Sequence, residues 1–441
     1  MDVTNLILYL KSKITDQSID QQMVSKAIRL LELGAVFTAQ TFSALPSAAG
    51  RSGELWYVLY DGLYFSTGDY WIAIAQTSQS VTWAWGNNGS AALGDGTAGA
   101  NQSSPVSVVG GFSDWCQISA GGSQTGAVRR SGSAWAWGYN GTGRLGDNTT
   151  TNRSSPVSVV GGFTDWCQAS TGGSHTVAVR RSGSAWAWGY NGSGRLGDNT
   201  TTNRSSPVSV VGGFTDWCQI NAAGGGSHTV AVRTSGSAWA WGSNNCGKLG
   251  DNTTTDRSSP VSVVGGFSDW CQISSGQNHS AAVRTVGSAW AWGRNNYGQI
   301  GDNTTTPKSS PVSVVGGFTD WCTVHTFSYH TLGLRSNGTI WAWGNGANGR
   351  LGDNSTQNKS SPVSIVGGFT DWCQVSPGTL HSLAVKTNGT AWSWGATSSG
   401  SLGINNTTPR SSPVSVVGGF TDWCQVAAGN SHSVAIRSKT L

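Results

Sequence analysis

The residues able to do chemistry recur at fixed intervals. Histidines stand at His175, His228, His279, His330, His381 and His432, with Gln124 at the preceding equivalent position. Five residues after each comes a cation: Arg129, Arg180, Arg233, Arg284, Arg335, Lys386 and Arg437. Carboxylates form two series, one in LGD (Asp95, Asp147, Asp198, Asp251, Asp302, Asp353) and one in the triplet DWC. That triplet also carries Cys116, Cys167, Cys218, Cys271, Cys322, Cys373 and Cys424. Imidazoles, thiols and carboxylates are the components of metal centres and of general acid–base pairs.

Such chemistry needs unlike groups converging at one place, and here the same groups come round in every unit, with no glutamate after Glu54. Equivalent positions around a ring stand too far apart to share an ion at about 2 Å, and Gln124 interrupts the histidine series. The expectation is no metal, no cofactor and no catalysis. Each histidine is read as bonded to turn backbone, and His325, outside the series, as a loop residue. The thiols lack CxxC spacing and are expected free and buried. The cation series has two readings. Either it forms a ring of charge that binds an anionic partner, which makes it the candidate partner-binding site, or each member pairs locally with a repeated aspartate.

The period sets the elements that hold these groups. WxWG begins at Trp83, Trp135, Trp186, Trp239, Trp290, Trp341 and Trp392, a repeat of about 51 residues. Within a unit, HTVAVR and SAWAWG alternate large and small side chains as strands do, with an SG turn between them. A loop of the type YNGTGRLGDNTTTNRSSP leads to a further strand, PVSVVGG, opening at its proline. Four short strands make one blade, so the reading is an all-β, seven-bladed β-propeller over residues 81–441. Three tryptophans per blade should pack blade on blade. The first unit starts at the WxWG strand and the chain finishes on SHSVAIR, so the last strand is expected to complete the first blade.

WGYNGTGRLGD at 137–147, WGYNGSGRLGD at 188–198, WGSNNCGKLGD at 241–251 and GGSHTVAV at 172–179 resemble the repeats of the regulator of chromosome condensation family. The resemblance covers residues 81–441 and implies a seven-bladed propeller closed by strand sharing. It also implies an intracellular scaffold that binds a small GTPase or chromatin. The blades here are close copies of one another, without the one-off insertion that nucleotide exchange uses in that family.

Residues 1–80 differ in composition. Ile19, Met23, Leu30 and Leu31 fall on one face of a helix expected over 17–33, after a shorter one over 3–14, in a helical segment of residues 1–34. Residues 35–80 read as a β-hairpin connector turned at Asp61-Gly62 and burying Trp56. These five apolar residues are the candidate N-terminal anchor. Residues 41–75 resemble short β-elements of bacteriophage tail and virion proteins. The leading functional reading is therefore a non-catalytic virion component, such as a tail fibre or capsid-associated protein. It would be homo-oligomeric, assembled in the host cytoplasm through residues 1–80, and would display the propeller to a host-surface or protein partner. A net charge of +5 over 441 residues is too dilute for a nucleic-acid partner, and no apolar run suits membrane insertion or a signal.

Overall fold

A computed structural model describes residues 79–438 with their side chains, and the backbone of Lys439 and of four earlier strands. These are β1 (Phe37–Ala39), β2 (Leu55–Val58), β3 (Gly62–Ser66) and β4 (Trp71–Gln76), one sheet in that order. β1 lies parallel to β2, and the other pairs are antiparallel. β2 and β3 pair from Leu55↔Phe65 to Val58↔Gly62, so the hairpin at Asp61-Gly62 belongs to a four-stranded sheet. The expected helices, with Ile19, Met23, Leu30 and Leu31, lie outside the described residues, and Trp56 is placed only as backbone of β2. Met1–Gln79 with Lys439–Leu441 make one unit and Ser80–Ser438 the other.

The larger unit is the propeller. Its second blade is β7 (Trp115–Ala120), β8 (Gln124–Arg129), β9 (Ala134–Gly138) and β10 (Arg153–Ser158), an antiparallel meander. The plan repeats as β11–β14 (166–209), β15–β18 (217–262), β19–β22 (270–313), β23–β26 (321–364) and β27–β30 (372–415). The outer strand begins at Arg153, before Pro156, and not at the proline as expected. Pro156 is tolerated there because an edge strand needs no N–H on its free side, and the register shifts between Arg153 and Val157.

The first blade closes the ring. β31 (Trp423–Ala428) and β32 (His432–Lys439) join β5 (Gln79–Gly86) and β6 (Gln102–Ser107) in one sheet. The C-terminus thus supplies two strands and not the single one expected, because the WCQVAA segment is itself the inner strand. Closure leaves no open blade edge between the chain ends.

The hydrophobic core lies between blades, not within them. Val177, Ala187 and Leu196 of the third blade pack on Trp217, Ile220 and Trp241 of the fourth, and each junction repeats this layer. The second tryptophan of each WxWG, Trp137, Trp241 and Trp343 among them, is at most 1% exposed. Each such ring removes roughly 150–250 Å² from water. The indole lies on the Leu-Gly turn of the preceding blade, where Gly197 has φ +69° and a Cβ would stand 2.7 Å from Trp241 Nε1. Only glycine allows that approach.

Gly197→Ala should therefore cost about 2–4 kcal/mol, from the left-handed backbone and the displaced indole together. The check is chemical denaturation followed by tryptophan fluorescence, and an unchanged midpoint would contradict this packing.

Candidate functional site

The inner strands of all seven blades line an axial channel of about 190 Å³. An inner strand is a sheet edge, and its unpaired backbone groups need partners. A glutamine on the preceding blade supplies them. Gln117 Nε2 donates to Ala169 O at 2.8 Å while its Oε1 accepts from Ala169 N at 3.0 Å. Gln168, Gln219, Gln272, Gln374 and Gln425 accept in the same way from Ile220, Ile273, Val324, Val426 and Ile118. These glutamines were not singled out in the sequence, although their fixed place after DWC was visible there.

The sixth blade breaks the pattern, with Thr323 where the glutamine would stand and His325 where Ser119 and Ser170 accept from a backbone N–H. The residue facing His325 on the seventh blade is Pro377, which has no N–H to satisfy. His325 is thus in strand β23, lining the channel, and not in a loop. Desolvation lowers its pKa to about 4.

The six repeated histidines are fully buried. The Thr229 hydroxyl donates to Arg195 O at 2.9 Å, so it can only accept from His175 Nε2–H, also at 2.9 Å. The same relay runs His228–Ser280–Lys248 O, His279–Thr331–Gln299 O and His381–Ser433–Ser401 O. Each imidazole reaches a hydroxyl of the next blade, and not turn backbone as expected. Gln124 replaces histidine at one junction, donating to Gly172 O at 2.8 Å. The relay leaves Nδ1 of His175, His228, His279, His330 and His381 buried without a partner. Desolvation holds His279 and His381 near 3 and His432 near 4, and places the others well below the ordinary histidine value.

Every cation of the candidate ring pairs within its own blade. Arg129, Arg180, Arg233, Arg284, Arg335, Lys386 and Arg437 reach Asp114, Asp165, Asp216, Asp269, Asp320, Asp371 and Asp422 at 2.6–3.1 Å. Each also stands over a phenylalanine ring, Arg233 over Phe214 at 4.2 Å and Arg437 over Phe420 at 3.5 Å. This geometry is that of local pairing.

The LGD aspartates are equally committed. Burial raises the Asp147 carboxyl, and hydrogen bonds from Thr149, Arg153 and Asn140 outweigh that, holding it below the ordinary carboxylate range. Where Ile404 replaces this aspartate, Thr397 replaces the asparagine and accepts from Leu402 N at 3.2 Å. The seven DWC cysteines are free, but exposed and not buried, because their side chains fall outside the blade layers. Among the described residues, no cluster of His, Cys, Asp or Glu is placed to hold a metal ion.

Two outcomes are expected. The histidines are neutral when folded, whereas in the unfolded chain they take protons near pH 6.5, so their contribution is full above that pH and lost below it. Each loses about 1.4 kcal/mol per pH unit between 6.5 and its folded value. Acid unfolding should be steep and multi-proton, measured by fluorescence with proton uptake, and His279→Gln should remove one proton. Arg233→Gln should lower stability by roughly 1–2 kcal/mol in denaturant melts, through loss of the ion pair and the ring contact.

The RCC1-like domain matches residues 64–378, and a regulator of chromosome condensation (RCC1) repeat matches 388–436. The chain is 28% identical over 351 residues to the ultraviolet-B receptor UVR8 of Arabidopsis thaliana, covering 77% of this chain and 78% of that protein. It is 29% identical over 332 residues to the mitochondrial RCC1 domain-containing protein RUG3 of Arabidopsis thaliana, covering 70% and 73%. The structure of Prp20p from Saccharomyces cerevisiae superposes with a TM-score of 0.73 at 21% identity, covering 82% of this chain and 92% of that one. These relatives overturn the reading of a virion component with a tail-fibre or receptor-binding role, and the virion location with it. The likeness of residues 41–75 rested on a strand entering an Asp-Gly turn, a common hairpin connection in unrelated proteins, and the domain match already begins inside that segment. By the match over most of its length and by a ring of seven sheets closed between its two ends, the chain belongs to the RCC1-like domain family.

Proposed function

We infer that the chain is a non-catalytic protein-interaction scaffold of the chromosome-condensation regulator type. The observation that carries this reading is the domain match over residues 64–378, with one propeller as the bulk of the chain, as its 78% coverage of UVR8 parallels. The repeated acids and imidazoles support it, since each is bonded within the ring and the open Nδ1 atoms of the imidazoles are buried. Prp20p of Saccharomyces cerevisiae binds Gsp1p and histones, and the same yeast RCC1 forms a complex with Kap60. A small GTPase or histones are therefore the partner classes proposed for one propeller face here. The paired cations Arg129 to Arg437 serve the blades in this reading, and recognition falls to loops on a rigid frame.

The test is calorimetric titration of the full chain with a Gsp1p-type GTPase and, separately, with histone octamers. A stoichiometric complex with either, at micromolar affinity or tighter, is expected. Absence of both with a folded ring would overturn the reading.

A further inference from the structure

The residue before each Leu-Gly or Ile-Gly turn is, in blade order, Ala92, Arg144, Arg195, Lys248, Gln299, Arg350 and Ser401. Charge at this position is confined to the second, third, fourth and sixth blades. Arg144, Arg195, Lys248 and Arg350 are only 8, 4, 2 and 4% exposed. Unlike every cation of the paired ring, none has a carboxylate within salt-bridge distance among the described residues. Their partners are neutral. Arg144 Nη1 donates to Gly173 O at 2.8 Å, Arg195 Nη1 to Ser174 Oγ at 3.0 Å, Lys248 Nζ to Asn278 Oδ1 at 3.1 Å and Arg350 Nη1 to Thr379 O at 2.8 Å.

Donors remain unused. Arg195 Nε is buried without a partner, and Nη2 of Arg195 and of Arg350 bonds to nothing among the described residues. Desolvation lowers Arg195 to about 10 and Lys248 to about 8, and the neighbouring cation adds to each shift. Asp256 is the carboxylate whose field reaches both, and its Oδ1 already accepts from Asn244 N at 2.7 Å.

A buried cation facing only neutral oxygens lowers stability. The fold does not require one here, since Gln299 fills the same position at 0% exposure. The charges lie at the rim where the turns before the repeated histidines emerge. Beside them Tyr139 and Tyr190 are 36% and 39% exposed, each ring 4.6 Å under the guanidinium of Arg144 or Arg195.

We propose that this rim, across the second, third and fourth blades, docks an acidic peptide segment of a protein partner. Carboxylates take the open Nη2 of Arg195 and the remaining donors of Lys248, beside Arg144, whose nitrogens already donate to Thr142, Gln124 and Gly173, and apolar parts of the segment lie on Tyr139 and Tyr190. Planar guanidinium forks held flush with the surface suit carboxylates. Nucleic-acid binding relies on cations that reach successive phosphates, whereas Arg144, Arg195 and Lys248 are at most 8% exposed. The inference rests on the scaffold reading and names the surface and the chemistry of its partner.

The experiment titrates the full chain, and the double variant Arg195→Gln with Lys248→Gln, with fluorescent deca-glutamate and a short DNA duplex at low and physiological salt. Gln299 shows that the fold accepts the substitution. The expected result is salt-sensitive deca-glutamate binding, tighter than that of DNA, weakened at least tenfold in the variant, with a melting temperature unchanged or raised. Undiminished binding by the variant, a lowered melting temperature, or tighter binding of DNA would each overturn the proposal. A GTPase or histone complex that survives the substitutions would overturn this site while leaving the scaffold reading intact.

Discussion

The structure depends on one contact repeated around the ring, an indole packed against the glycine of the preceding blade. A four-stranded sheet this small cannot cover its own tryptophans, so each blade is stable only against its neighbour. Trp241 on Gly197 buries the ring and fixes the separation of two blades at once. Everything polar between blades is then constrained to fit that spacing. The relay from His175 through Thr229 to Arg195 O and the clamp of Gln168 on Ile220 recur at six of the seven junctions, Gln124 and Thr323 marking the exceptions.

That shared spacing explains why replacements come in matched sets. Ile404 arrives with Thr397, because an asparagine facing an isoleucine would leave a buried amide unpaired. His325 arrives with Pro377, whose missing N–H removes the need for an acceptor at that place on the sixth blade. Phe327, 5% exposed, lies against Gly224, in the turn of the fourth blade where the repeat is longest. The departures from symmetry compensate one another locally and leave the ring intact.

Charge follows a different logic on the two cation series. The cations of the Arg129 series sit beside an aspartate and over a phenylalanine, so their charge is spent inside the blade. Those of the Arg144 series face carbonyls, an amide and a hydroxyl, so none is paired with a carboxylate, and Asp256 reaches Arg195 and Lys248 only through its field. Burial with no counter-charge adds nothing to folding that Gln299 lacks. Both series place a cation at a fixed position of the repeat, one in all seven units and the other in four, and the position of the nearest carboxylate separates their roles.

The sequence alone determined the number of blades, their four-strand content and the sharing of one blade between the chain ends, because these follow from a period of about 51 residues and from where it starts and stops. It also determined that the tryptophans pack, since strand alternation puts both rings of WxWG on one face. It did not decide partners across blades, since residues some 52 positions apart meet only once neighbouring blades have stacked. Hence the glutamine clamp, the histidine tautomers, the exposure of the cysteines and the place of His325 were decided by tertiary structure. The same physical reason explains the two cation series: the energy of a charge depends on what lies within a few ångströms of it, and a repeat pattern does not contain that distance.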